Sequence, residues 1–193
     1  MTPYDKARAL IDAAHEGDPH RTPSGSAAEL AYADRMEAWI VRLQPEAGPL
    51  LRLAARCQHL ERWSVPRASY PMDRSGYLAW RRFLYSKQSE RARVLLTEAG
   101  VSPVEADQAA MWVSKAVLKT NPGTQALEDA AVLVFLQSEI ESFAAQHAEY
   151  PREKFVDILR KTWRKLSPDG QRAASALELP QAIASLVSEA LGS

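Results

Sequence analysis

Between Thr124 and about His147 the chain keeps a helical rhythm around an unbroken apolar run, Ala130 to Leu136 (AAVLVFL). A helix apolar on every side has to be covered on every side, so this stretch predicts a central core helix surrounded by others. Nothing else in the chain offers a sheet to do the covering. The long segments read at helical period, and no alternating run of β-branched residues predicts a strand. With 193 residues the chain can enclose a substantial core in one domain. The expected fold is all-α, a single compact multi-helix domain over residues 1–193 with about eight or nine helices.

Local signals divide that fold into elements. Thr2-Pro3, a capping residue followed by proline, predicts a first helix to about His15. Ser26 and Glu29 stand at capping-box spacing and predict the start of a second, which Pro45 stops. A third is predicted from about Pro49 to Arg62, broken at Val65-Pro66. A long helix is expected from Gly76 to Ala99, closed by Gly100, and Ser102-Pro-Val-Glu105 opens another to about Leu118. Helices from Pro151 to Leu166, after Ser167-Pro-Asp-Gly170, and from Pro180 to Leu191 complete the chain.

Composition narrows the function. Twenty-four basic side chains balance 24 acidic ones, so no global field draws a polyanion and nucleic acid is not favoured as a partner. Cys57 is alone, which excludes an internal disulfide and a multi-cysteine zinc site and suits a reducing compartment. No apolar run reaches the roughly 18–20 residues of a membrane span. The N-terminus lacks a hydrophobic signal core, so a cytoplasmic location and no membrane partner are expected. Phosphate-cradling glycine loops, GxGxxG, GxSxG, HExxH and CxxC are all missing, which removes many enzyme classes.

The stretch from Ala54 to Tyr85 is chemically the richest. Arg62, Arg67, Arg74, Arg81 and Arg82 alternate there with Trp63, Tyr70, Tyr77, Trp80, Phe83 and Tyr85. Guanidinium groups grip phosphate or carboxylate through a planar fork of donors and also stack on aromatic rings, so this pattern predicts a site for an anion carrying a flat group. Arg67, Tyr70, Arg74 and Tyr77 are its candidate lining; the plainer alternative is a solvated loop pinned to the core by its aromatics. On the predicted third helix His59 falls opposite the Leu50–Leu53–Cys57–Leu60 stripe, beside Arg52, Arg56 and Trp63. It is a candidate ligand, base or substrate contact, or else a histidine bonded to a backbone carbonyl or stacked on Trp63. Glu128 and Asp129 could bind a metal or clamp an arginine, or simply complement a helix dipole. Lys115 and Lys119 could add positive charge, and Arg160, Lys161, Arg164 and Lys165 around Trp163 could meet phosphates or an acidic partner. In both groups solvent exposure is the plainer explanation. His15 and His20 bracket Glu16 and Asp18 at a spacing unlike a helical metal pair.

The strings LRLAARCQHLERWSVPRASYPMDRSGYLAWRR, LEDAAVLVFL and ILRKTWRKLSP resemble a bacterial and fungal family, domain-of-unknown-function 4202. The resemblance covers essentially the whole chain and implies no activity. The helical order is more distantly similar to the HD-domain phosphohydrolases, which hold metal with a histidine, a His-Asp pair and a later aspartate. On that similarity Tyr32 stands in place of the first histidine and Gln58-His59 in place of the His-Asp pair. Gln88 stands where another histidine is often used, and Ala131, two residues beyond Asp129, takes the late aspartate's place. The similarity then implies either a rearranged site using His59, Glu61 and Asp129 or a helical cavity that binds without metal.

Three functional readings follow. The first is an HD-like protein binding a small anionic ligand, phosphorylated or nucleotide-like, through His59, Arg67, Tyr70, Arg74 and Tyr77, with Glu128 and Asp129 in structural support. The second is a metal-dependent phosphohydrolase in which His59 and Asp129 carry the chemistry, a divalent metal being the less favoured expectation. The third is a protein–protein interaction module, since arginine and aromatic residues dominate binding hot spots.

Overall fold

Thr2, Ser102 and Ser167 each turn the chain into a helix in the same way, with proline next in line. The Thr2 hydroxyl accepts from the Asp5 amide and the Asp5 carboxylate accepts from the Thr2 amide. Ser102 and Ser167 accept from the amides of Glu105 and Gly170. These bonds satisfy donors that the first helical turn leaves free. A computed structural model describes residues 1–118 and 120–192, and among them the fold is all-α, with ten α-helices and no strand. The helices are α1 (Pro3–Glu16), α2 (Ala28–Leu43), α3 (Pro49–Arg56), α4 (Arg74–Ala99), α5 (Pro103–Val113), α6 (Pro122–Val134), α7 (Ile140–Gln146), α8 (Arg152–Trp163), α9 (Pro168–Ser175) and α10 (Gln181–Leu191).

Ten helices rather than eight or nine arise because the predicted helix from Thr124 to His147 is interrupted. A π-helical turn at Phe135–Glu139 separates α6 from α7. Within the apolar run Ala130, Val132, Leu133, Val134 and Leu136 are buried, while Ala131 and Phe135 are partly covered.

Several predicted boundaries move, each for a local reason. Ser26 does not cap α2. The helix starts after Ala27, and the Glu29 amide donates to the Asp18 carboxylate instead, at 3.0 Å. Helix α4 begins at Arg74 because Asp73 is its cap, accepting from Gly76 at 2.7 Å. Helix α3 stops at Arg56, well short of Arg62, since His59 and Glu61 adopt left-handed backbone conformations (φ 61° and 52°) that no right-handed helix can include. Helix α5 likewise stops at Val113, followed by left-handed Lys115 and Val117. Such residues cost roughly 1–2 kcal/mol each, and a β-branched one such as Val117 is a marked outlier.

The chain divides into two compact units, Met1–Leu127 and Glu128–Ser193. In the first, α4 packs along α1 and α5, and α3 packs against α2, α5 and α1. The α5 face that is buried is nearly all alanine (Ala106, Ala109, Ala110), so little side-chain bulk separates it from α4. In the second, α8 packs on α10, with Val156, Leu159, Ile183 and Ala190 buried. Phe143 meets Phe135 and Phe155 edge to face, an arrangement suited to ring quadrupoles. A crevice there, lined by Leu136, Leu159, Trp163 and Ala190, has about 10 Å³ of free space, far less than an organic ligand fills.

One buried charge ties α1, α2 and α3 together. Arg56 is only 1% exposed, and its guanidinium donates to Asp12 (2.8 Å), Asp34 (2.7 Å) and Glu37 (3.0 Å). Arg8 and Arg52 also bind Glu37, each at 2.8 Å, so three cations face three carboxylates. The Asp34 side chain is 61% exposed, so of the three carboxylates it is the one most screened by solvent. Removing one member of a buried set strands the others. Arg56→Ala is expected to destabilise the protein by about 3–5 kcal/mol, read as a lower urea midpoint, whereas Arg82→Ala, an exposed α4 arginine, should leave the midpoint nearly unchanged.

Candidate functional site

The left-handed turn after α3, not a helical face, aims His59. Its ring stacks on Tyr32 of α2 (centroids 4.0 Å apart, 11° between planes), not on Trp63. Its Nδ1 lies 3.2 Å from Glu29 Oε2, close enough for electrostatic attraction but without the alignment of a hydrogen bond. On the other side of the carboxylate, Arg62 Nη1 is 3.8 Å from Glu29 Oε1. Glu29 is thus a carboxylate only 12% exposed and flanked by two loosely held partners. Burial alone would raise its pKa; His59 and then Arg62 overcome that and hold it below the usual glutamate value, hence ionised.

His15 and Asp18 join the same neighbourhood. Asp18 is buried and fully employed, accepting from the His20 amide, from His20 Nδ1 and from the Glu29 amide. His15 Nε2 sits 2.7 Å from the Arg56 carbonyl oxygen. A carbonyl can only accept, so Nε2 carries the proton and Nδ1 presents a lone pair. That Nδ1 is buried and has no hydrogen-bond partner, and the same holds for Trp63 Nε1. The Trp63 ring lies beside Gly17, where an added Cβ would come 3.4 Å from Cζ2, so the indole borders the turn that follows His15. The Glu29 charge acts on both His15 and His59.

From Arg62 a ladder of guanidinium and aromatic groups extends along α4. The Arg62 guanidinium lies 5.0 Å from the Trp80 ring centre, and Trp80 lies 6.1 Å from Tyr77. Tyr77 carries Arg67 at 5.9 Å and Arg81 at 5.7 Å; Tyr85 carries Arg81 at 5.2 Å and Lys115 at 5.5 Å. Arg67 also donates to the carbonyls of Tyr70, Pro71 and Asp73, closing the loop before α4. Gly76 is required there, since a Cβ would stand 2.1 Å from the Pro71 carbonyl oxygen. Arg81 donates to the hydroxyls of Tyr77 and Tyr85. Burial works against its charge, and the two tyrosines more than compensate, raising its pKa.

The predicted site residues therefore fall into separate groups. Arg67 and Tyr77 touch one another, Tyr70 packs on Phe83 (6.3 Å), and Arg74 is exposed at the start of α4. His59 belongs to the Glu29 cluster, which Arg62 links to the ladder. Glu61 binds Arg91 at 2.8 Å. In Glu128–Ser193, Glu128 lies 3.3 Å from Lys165, and Asp129 accepts from the Ser167 amide at 2.8 Å. Lys161 pairs with Asp157 and Arg160 donates to the Ala190 carbonyl. Lys119 lies outside the described residues. Among the described residues no three His, Cys, Asp or Glu side chains are grouped to hold a metal ion.

Glu29, Tyr32 and Arg56 were not singled out as site residues from the sequence. The Arg56 partners had a readable signal, since Asp34 and Glu37 are three apart and share one face of α2. Glu29 and His59 had none, because thirty positions and a reversal of the chain separate them and only the tertiary fold joins them.

A family model described as a domain of unknown function (DUF4202) matches residues 5–187. No match was found among curated proteins or among solved structures.

Burial is the leading influence on both His15 and His59 and lowers their pKa values from the ordinary 6.5. As pH falls through 6.5 the unfolded chain takes up these protons before the folded one does. Their contribution to stability is therefore complete above about 6.5 and declines as pH falls below it. Urea melts between pH 7 and 5 should show this decline, and His15→Gln should flatten part of it; an unchanged slope in the variant would remove His15 as a cause.

Proposed function

The chain belongs to the domain-of-unknown-function 4202 family, and we propose that it binds a small anionic ligand, phosphorylated or nucleotide-like, on the arginine–aromatic face of Met1–Leu127. The observation that carries this reading is Arg81. It is partly buried, yet its hydrogen-bond partners are two neutral phenols, and among the described residues no carboxylate lies within ion-pair distance of it. Arg67 donates to three backbone carbonyls, with the Asp73 charge also acting on it. A partly desolvated guanidinium without a counter-ion is costly, and an incoming oxyanion supplies the missing charge. The aromatic rings hold these side chains in fixed poses, so little rotamer freedom is left to lose on binding.

The remaining residues divide the work by position. Arg62 and Lys115 extend the positive field at the two ends of the ladder. Tyr77 and Tyr85 set the direction of the Arg81 fork. His59 contributes by pairing with Glu29, the nearest opposing charge to Arg62.

The test is calorimetric titration of the metal-free protein with pyrophosphate. Binding is expected without divalent ions, and Arg81→Gln should weaken it about tenfold or more, as loss of a charge-assisted hydrogen bond implies. Arg82→Gln, an exposed neighbour, should change it little. Equal affinities for wild type and Arg81→Gln, or no binding at all, would remove this reading.

A further inference from the structure

We propose that the outward face of α4, in its N-terminal half, docks an acidic amphipathic helix of another protein, with Leu78 as apolar anchor and Arg74 and Arg82 as clamps on its carboxylates. This goes beyond the small-anion reading, which draws on Arg67 and Arg81 and gives Arg74, Leu78 and Arg82 no part. The chain as a whole balances 24 basic against 24 acidic side chains. Yet the first sixteen residues of α4, Arg74 to Ser89, hold Arg74, Arg81, Arg82 and Lys87 and no aspartate or glutamate. Arg74 and Arg82 are exposed, and among the described residues neither is joined to a carboxylate.

The free helix gains nothing from this placement. Helix α4 starts at Arg74, and a cation in the first turn faces the positive end of the helix dipole. Four residues on, Leu78 is 48% exposed, with Tyr77 exposed beside it. Residues three and four apart are neighbours on a helix surface, so Leu78 has Arg74 on one side and Arg81 and Arg82 on the other. Arginine and aromatic side chains are also the types that protein interfaces favour. An apolar side chain set among unopposed cations has its complement in an apolar side chain set among carboxylates.

That complement defines the partner. Arg74, Leu78 and Arg82 follow one ridge of α4 at intervals of four residues, so the two arginines stand about 12 Å apart along the helix axis. A second helix with an apolar residue between carboxylates four positions before and after it matches this ridge. Each carboxylate then accepts charge-assisted bonds from one guanidinium fork. A nucleic acid or inorganic polyanion would engage the arginines and leave Leu78 in water. A lipid surface fits less well. Phe83, the next exposed apolar residue of α4, points about 140° away around the helix, so the two cannot enter one flat bilayer together.

The experiment is fluorescence anisotropy with a labelled alanine-based helical peptide carrying one leucine and a glutamate four positions to either side of it. It is titrated with wild type, Leu78→Ala, Arg82→Gln and Arg172→Gln, an exposed arginine of α9, with thermal unfolding of each as a folding control. Wild type and Arg172→Gln are expected to bind saturably and alike. Leu78→Ala and Arg82→Gln should each weaken binding about fivefold or more, as should replacing the peptide's leucine with alanine or its glutamates with glutamine. No binding to wild type, or an affinity that neither Leu78→Ala nor Arg82→Gln lowers, would overturn the proposal. So would equal affinity for the peptide without leucine, since the face would then read charge alone. Sedimentation with phosphatidylserine vesicles in the absence of peptide binding would also overturn it and assign the face to a lipid surface. Pyrophosphate affinity should be unchanged in Arg82→Gln, so failure of the anion reading and failure of this one appear in different titrations.

Discussion

The Arg56 guanidinium is the interaction on which the rest of Met1–Leu127 depends. A charge so thoroughly buried is tolerable only with paired carboxylates, and the three it uses come from two other helices. The orientation of α1 and α2 about α3 is therefore set by hydrogen-bond geometry as well as by apolar packing. The same residue's carbonyl fixes the tautomer of His15, so a structural ion network also decides which nitrogen the candidate site presents. The network's three cations and three carboxylates balance in net charge.

The ladder shows the opposite economy of charge. Arg81 rests on ring faces and phenol oxygens, which stabilise a guanidinium without neutralising it. Glu29 supplies a nearby negative charge, at the end where Arg62 joins the histidine cluster. Glu29 thus stands at one end of the row of cations and Arg81 further along α4.

Much of this was legible before any coordinates. Helical period and capping signals located nearly every element, because Thr2, Ser102 and Ser167 do cap by their own side chains. Ser26 misled because a residue eight positions earlier, Asp18, reaches the Glu29 amide first, and capping-box spacing carries no information about such competition. The lengths of α3 and α5 were overread for a related reason. Glu61, Lys115 and Val117 are not of a residue type that marks a left-handed position in the sequence, yet all three adopt one. The arginine–aromatic alternation did mark where cations and rings would meet. It could not show that Arg67 would spend its fork on backbone carbonyls or that His59 would find Tyr32.

The Arg56 network has a further property that comes from its place in the chain. Its bonds span 19, 22 and 44 positions, all within the first 56 residues. Loop-closure entropy grows only slowly over such spans. Every charge needed to neutralise the buried guanidinium thus lies upstream of it on the polypeptide, so a nascent chain carries the complete set by the time Arg56 itself is added. The costliest buried group in the unit never has to wait for later segments to arrive.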